Sequence, residues 1–207
     1  MIVLAIDTCG PSGSVALGRV EPGSITVLAQ TELAGKTYSA QLVPSICSML
    51  DAEGIDFATL DAIVAVSGPG SFTGIRVGLS AAKGLAEALQ IPIVAVSRLA
   101  VLAWKGRTPS AALDAGRGEF YFREDTREFL LSGKDVPSGL TGLSVCEPAA
   151  HWAFREAVLV QRPTATDALT VAAPRLLAGD FADTASLDGN YVRRSDAEIF
   201  AKLPGKP

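Results

Sequence analysis

Residues 67–78 read Ser-Gly-Pro-Gly-Ser-Phe-Thr-Gly-Ile-Arg-Val-Gly, a glycine-rich turn between the apolar run Ala62–Val66 and a helical pattern. A strand, a tight turn and a helix start together present backbone N–H groups at the positive end of a helix dipole, which suits them to hold an anion. Asp7-Thr8, at the end of the apolar run Ile2–Ile6, adds a carboxylate and a hydroxyl able to position a metal-bound phosphate. An acidic residue there also simply caps a turn. Asp7, Thr8, Gly68, Gly70 and Thr73 are therefore the candidate nucleotide-binding residues.

The two common phosphate fingerprints both fail on this turn. A P-loop needs lysine and then Ser or Thr after its last glycine, whereas Gly74 is followed by Ile75. A dinucleotide fingerprint starting at Gly68 meets Thr73 at its third glycine position, and Pro69 stiffens its middle. A tight strand-to-helix connection, capped by the hydroxyl of Ser71 or Thr73, is favoured over a working phosphate cradle. Other catalytic equipment is sparse. The chain has one histidine, His151, and no GxSxG elbow to give it a nucleophile. No His, Cys and carboxylate cluster has metal-ligand spacing, so no metal site is expected. Asp114 is the one candidate for a second acidic phosphate motif.

The elements that would position these residues are legible in the first half. Apolar runs at 2–6, 14–18 and 25–29, separated by Gly-Pro-Ser-Gly and Glu-Pro-Gly-Ser turns, predict an antiparallel meander. A helix is expected over 39–53, ended by Gly54, with Leu42, Ile46, Met49 and Leu50 at helical spacing. The strand at 62–66, a helix over 73–89 and a buried strand at 93–96 complete a βββαβαβ order, a mixed sheet with helices on its faces. The pattern breaks near Gly106-Arg-Thr-Pro109. Beyond it, a hairpin of 110–114 with 119–123, a strand over 156–161 and a helix over 167–177 are expected, with a loose tail at 202–207. The division is two domains, 1–104 and 105–207, the second a smaller version of the first.

The helix after the glycine turn carries a second message. Arg76, Ser80, Lys83 and Glu87 form one narrow polar stripe, while Ile75, Leu79, Ala82, Ala86 and Leu89 can cover the sheet. A further stripe of small or apolar residues, Gly74, Gly78, Ala81, Leu85 and Ala88, is left over. A helix on a sheet needs one buried face, so this breadth predicts burial on two sides. The helix over 39–53 is similarly broad. The second domain could cover both helices, but a subunit interface is preferred, because apolar patches of this size rarely stay exposed. Leu42, Val43, Ile46, Cys47, Leu50, Gly74, Val77, Gly78, Ala81 and Leu85 are the expected partner-binding residues. On this reading Gly78→Arg or Ala81→Glu leaves the monomer folded and disrupts pairing.

The bulk composition fits a well-packed globular chain of 207 residues, 48% hydrophobic and 19% charged. A formal charge of −4 without any basic run argues against a nucleic-acid binder acting alone. Cys9, Cys47 and Cys146 are odd in number and scattered, which fits reduced thiols in a cytoplasmic protein. The N-terminal apolar run meets Asp7 too soon for a signal peptide, and no stretch approaches the ~18 residues of a membrane span.

Ile6-Asp7-Thr8 with Ser14-Val-Ala-Leu17 resembles the first phosphate motif of the actin, sugar-kinase and heat-shock chaperone superfamily. Residues 67–76, continued by Gly78 and Leu79, resemble the bacterial TsaB (YeaZ) family and its catalytic paralogue TsaD. Asp114-Ala115, Arg117, Gly118-Glu119, Tyr121, Tyr191 and Arg193 agree with the same family. The resemblance implies two actin-like (ASKHA, ribonuclease H-like) α/β domains with mixed sheets, the second abbreviated. It implies a non-catalytic part in threonylcarbamoylation of adenosine 37 in tRNAs that read codons beginning with adenosine. The expected partners are a TsaD-like paralogue and a TsaE-like ATPase, with a homodimer when alone, tRNA met only through the complex and no membrane. TsaD holds a metal with an HxxxH pair on its first helix; the matching stretch here begins Tyr38-Ser-Ala-Gln-Leu42 and has no histidine. No cofactor is implied beyond weak ATP or ADP binding. The competing reading is an actin-like ATPase or kinase using the 68–74 turn; proteolysis, the older label of the family, has no support in these residues. Two stretches depart from the family pattern, Tyr38-Ser39 before Leu42 and Gly189-Asn before Tyr191.

Overall fold

The computed structural model describes residues 1–35, 37–136 and 139–192. Its first sheet is the predicted meander with two parallel strands added. Strands β1 (Ile2–Asp7), β2 (Gly13–Glu21) and β3 (Ser24–Leu33) pair antiparallel, in the register Ile6 opposite Val15 and Asp7 opposite Ser14. β4 (Ala62–Val66) runs parallel beside β1, and β5 (Ile93–Val96) parallel beside β4, giving the order 3-2-1-4-5. β1 and β4 sit inside the sheet with both faces covered, which is why they are continuous apolar runs and do not alternate. The crossovers are α1 (Tyr38–Glu53) and α2 (Phe72–Leu89), ended by Gly54 and Gln90 in left-handed conformations.

The second sheet repeats this winding. β6 (Ser110–Gly116), β7 (Glu119–Glu124) and β8 (Arg127–Ser132) form an antiparallel meander. β9 (Leu143–Val145) and β10 (Val158–Leu159) add in parallel, for the order 8-7-6-9-10. Two helices go beyond the sequence expectation: α3 (Arg98–Gly106), which joins the sheets, and the six-residue α4 (Pro148–Ala153). Ser97 starts α3 by accepting from the N–H groups of Leu99 and Ala100. The strand expected over 156–161 is only Val158–Leu159, and the tail at 202–207 lies outside the described residues.

The last helix, α5 (Ala165–Ala178), changes the domain division. Its inner face, Ala165, Ala168, Leu169, Ala172, Ala173 and Leu176, is part of the core of the first sheet. Gly18 on β2 makes this approach close: a Cβ there would stand 2.3 Å from Leu169 Cδ2. The helix therefore lies beyond the expected 104/105 boundary in sequence yet packs in the first core, as does Val101 of α3. Sequence order hides this because the contact spans some 150 residues, as in the Ala165 N–H bond to Ser14 Oγ at 2.8 Å. After α5 the chain straps across α2. The Ala182 N–H donates to Ile93 O, Lys83 Nζ to Leu187 O at 3.0 Å, and the Asn190 N–H to Ser67 O at 2.7 Å.

Candidate functional site

The glycine turn is closed by its own neighbours. The Ser71 N–H donates to Cys9 O at 2.8 Å, and the Gly74 N–H donates to Ser71 Oγ at 3.2 Å, so Ser71 is the helix cap and Thr73 is not. Thr8 Oγ1 donates to Gly74 O at 2.7 Å. The glycines are there for close approach. A Cβ on Gly70 would fall 2.2 Å from Cys9 O, on Gly74 2.0 Å from Thr8 O, and on Gly78 2.3 Å from Thr8 Oγ1. Gly68 has φ 107, a conformation that is costly for any other residue. Asp7, Thr8, Gly68 and Gly70 are thus brought together, but as a seam that locks the start of α2 onto the end of β1, while Thr73 is exposed and lines the cleft outside it. Two of the amides that an anion would use are already spent inside it.

Beneath this seam lies a buried polar group. The Asp7 carboxyl is 2% exposed and accepts the Cys9 N–H at 2.9 Å; burial pushes it above its ordinary range, against the pull of Arg98. The same Asx-turn recurs in the second half, where Asp114 Oδ1 accepts the Gly116 N–H at 2.7 Å. The buried Tyr38 hydroxyl donates to Gly10 O at 2.7 Å, and burial pushes it up to about 12. Burial raises the Cys9 thiol strongly and the Cys146 thiol to about 11, so neither is a ready nucleophile. Arg98 is 3% exposed; burial opposes its charge, but Asp7 and its other neighbours more than restore it. Arg98 is absent from the residues expected on sequence grounds. The available signal is a single arginine in the stretch 91–103, which is apolar but for it and Ser97. Among the described residues no group of three or more His, Cys, Asp or Glu side chains is placed to hold a metal.

Gly10, Pro11, Tyr38, Ser39, Ser71, Thr73, Gly74 and Val77 line a cleft of about 580 Å³ between the starts of α1 and α2. Its volume is that of a small-molecule or side-chain pocket.

The expected partner-binding residues divide in two. Leu42, Ile46 and Leu50 are each 1% exposed, in the core beneath α1, and Gly74 and Gly78 are buried against Thr8. These five cannot face a partner, and Gly78→Arg cannot leave the monomer intact. The outward stripe lies a fraction of a turn from the expected one, because small residues can mark a close internal contact as easily as an external one. Val43, Cys47, Val77, Ala81 and Leu85 remain at the surface, Val43 exposed and the others half-buried. The polar stripe faces elsewhere: Lys83 holds the C-terminal strap, and Arg76 lies over the Phe72 ring, on which Tyr191 packs. Arg193 lies outside the described residues.

Fold and site define a duplicated mixed-sheet α/β protein whose first glycine turn is sealed and whose paired crossover helices carry an apolar outer strip. A family model described as TsaD, tRNA N6-adenosine threonylcarbamoyltransferase, matches residues 24–182. The chain is 30% identical to the tRNA threonylcarbamoyladenosine biosynthesis protein TsaB of Escherichia coli K12, with all of both chains aligned. It is 40% identical to TsaB of Bacillus subtilis over 58% of this chain and 53% of that one. Of solved structures, YeaZ from Pseudomonas aeruginosa superposes with a TM-score of 0.76 at 26% identity, covering 92% of this chain and 99% of that chain. The chain belongs to the TsaB (YeaZ) family. Among the described residues no helix is long and apolar enough to cross a membrane.

Proposed function

We propose that this chain does no chemistry of its own and serves as the partner of a TsaD-like transferase in threonylcarbamoylation of adenosine 37 in tRNAs reading codons that begin with adenosine. The observation that carries the reading is the strip Val43, Cys47, Val77, Ala81 and Leu85, at the rim of the core and partly open to the surface on two adjacent helices. Its relatives, named as tRNA threonylcarbamoyladenosine biosynthesis proteins, suggest the pathway. The lack of any histidine on α1 argues against a TsaD-type metal site. The two halves are read as actin-like domains, the second abbreviated, on the strength of their common strand order. A TsaE-like ATPase joins the pair, tRNA is met through the complex, and the isolated chain pairs with itself through the same strip in the cytoplasm.

Ala81→Glu tests this reading. Ala81 is half-buried at the edge of the first core, so the variant is expected to stay folded at a cost of about 1 kcal/mol. It should elute apart from a TsaD-like paralogue in size exclusion and fail to support tRNA modification by it. Normal co-elution with normal modification would exclude the strip as the interface. The matched Asx-turns of Asp7 and Asp114 favour a second reading, an ATPase or kinase gripping nucleotide between the halves. Tight Mg-ATP binding with turnover by the isolated chain, measured calorimetrically, would select it.

A further inference from the structure

We infer that the strap after α5 is a latch on the first turn of α2, closed from the second half by the carboxylate of Glu128. The strap, residues 180–192, carries little regular structure, and one isolated bridge between Ala182 and Ile93 fixes its start. Its middle hangs on Lys83, whose Nζ donates to Leu187 O at 3.0 Å. Its far end is held by Asn190, which faces both halves at once. The Asn190 backbone N–H donates to Ser67 O at 2.7 Å, at the mouth of the glycine turn. Its side-chain amide donates to Glu128 Oε2.

Glu128 lies on β8, an edge strand of the second sheet. Two other donors place its carboxylate: Oε1 accepts from Arg123 Nη1 on β7 at 2.7 Å and from the Ser97 hydroxyl that caps α3. The Arg123 and Glu128 side chains are 18% and 11% exposed, so the carboxylate meets Asn190 largely out of water. A charge-assisted hydrogen bond is strong in such a place. The strap itself offers little else to hold it, for every residue of 180–192 is half-buried or exposed. Segments of this kind open locally at low cost, so one charged bond decides whether the end stays down. What it covers is apolar. A Cβ on Gly189 would stand 2.8 Å from Ile75 Cγ2, so the strap backbone lies directly on a side chain that is 1% exposed. The Tyr191 ring packs on Phe72, with centroids 5.2 Å apart. Lifting the end of the strap therefore bares Ile75 and Phe72 and frees Ser67 O. The second half thus sets how much apolar surface the first turn of α2 presents, whether or not the chain pairs with a transferase.

The test is amide hydrogen exchange of the full chain, read residue by residue by NMR. The readout is the exchange rate at residue 190 relative to that of Val64 in the middle of β4, which reports global unfolding. Glu128→Ala should raise this ratio about tenfold, the loss of one charge-assisted hydrogen bond. Asn190→Ala keeps the backbone N–H and should raise it by a similar factor. Adding Glu128→Ala to Asn190→Ala should then change it by less than about twofold, because the two side chains act through one bond. If Glu128→Ala does not fold, Asn190→Asp decides: it sets a second carboxylate against Glu128 and should give the same rise. An unchanged ratio in the single variants, or a second full rise in the double variant, would overturn the latch.

Discussion

The two halves share a strand order and differ in nearly everything that holds them. The parallel strands β4 and β5 of the first have five and four residues, whereas β9 and β10 of the second have three and two. The first core is aliphatic, built from Val, Ile, Leu and Ala on β1, β4, α1, α2 and the returning α5. The second is smaller and rests on Phe120, Phe122, Phe129 and Phe154, with ring centroids 5.1 to 5.9 Å apart. Their glycines differ in kind. Gly70, Gly74 and Gly78 are pressed against β1, while Gly116 and Gly118 have φ 74 with nothing within 4 Å. The α2 seam uses glycine so that elements can touch; the β6–β7 connection uses it to turn a hairpin. The first half recruits even its last helix from the far end of the chain, whereas the second sheet is covered by α3 and the short α4 together with a few aromatic rings.

The contrast between glycines can be broken by substitution. Gly78→Arg must displace Thr8 from the α2 seam and is expected to cost more than about 4 kcal/mol, seen as loss of the cooperative melt by circular dichroism. Gly118→Ala, strained only in its backbone, should cost about 1 kcal/mol. Comparable melts for the two variants would erase the distinction. The next effect concerns α5. Leu169→Ala removes a fully buried side chain facing Gly18 and should cost about 3 kcal/mol. In a Trp104→Phe background, which removes the tryptophan that shares a cleft with Asp167 of α5, Trp152 on α4 reports on the second half, whereas helical dichroism is dominated by α1, α2 and α5. If α5 belongs to the first core, the dichroism midpoint in urea falls at least as far as the fluorescence midpoint. A fall in fluorescence alone would return α5 to the second half.

These differences also decide what can be read from the sequence. The first half is legible because its strands are long apolar runs with clear turns, and its helices have a cap at Ser71 and a stop at Gly54. In the second half, β9 and β10 are too short to carry a period, and α4 is a turn and a half of helix begun by Pro148. α3 hides behind Arg98, whose charge interrupts the apolar pattern because it is buried for electrostatic and not hydrophobic reasons. The glycine turn is visible as a motif, but its seal is not, since whether an amide is free depends on Cys9, about sixty residues earlier. For the same reason the small residues of α2 can be counted in the sequence but not assigned a neighbour.

The smallest expected effect probes the helix that the second half lacks, for among the described residues none stands between β8 and β9. Tyr38 begins α1 and ties it to the Gly10 turn with one hydrogen bond of 2.7 Å. Tyr38→Phe leaves the ring in place and the Gly10 carbonyl without its donor, a loss of about 1 kcal/mol near neutral pH. The pH dependence separates this bond from general packing. The folded protein holds the phenol up to about pH 12, above its ordinary value of 10.0, because burial disfavours the phenolate. A raised folded value means that the stabilisation is complete below pH 10 and drains away as pH rises toward about 12. The difference in unfolding free energy between the wild-type and Tyr38→Phe chains, measured in urea from pH 8 upward, should therefore be constant at first and then shrink above pH 10. A difference that persists unchanged to pH 11.5 would mean that the hydroxyl contributes only its volume, and that α1 is held to the first half by its apolar face alone.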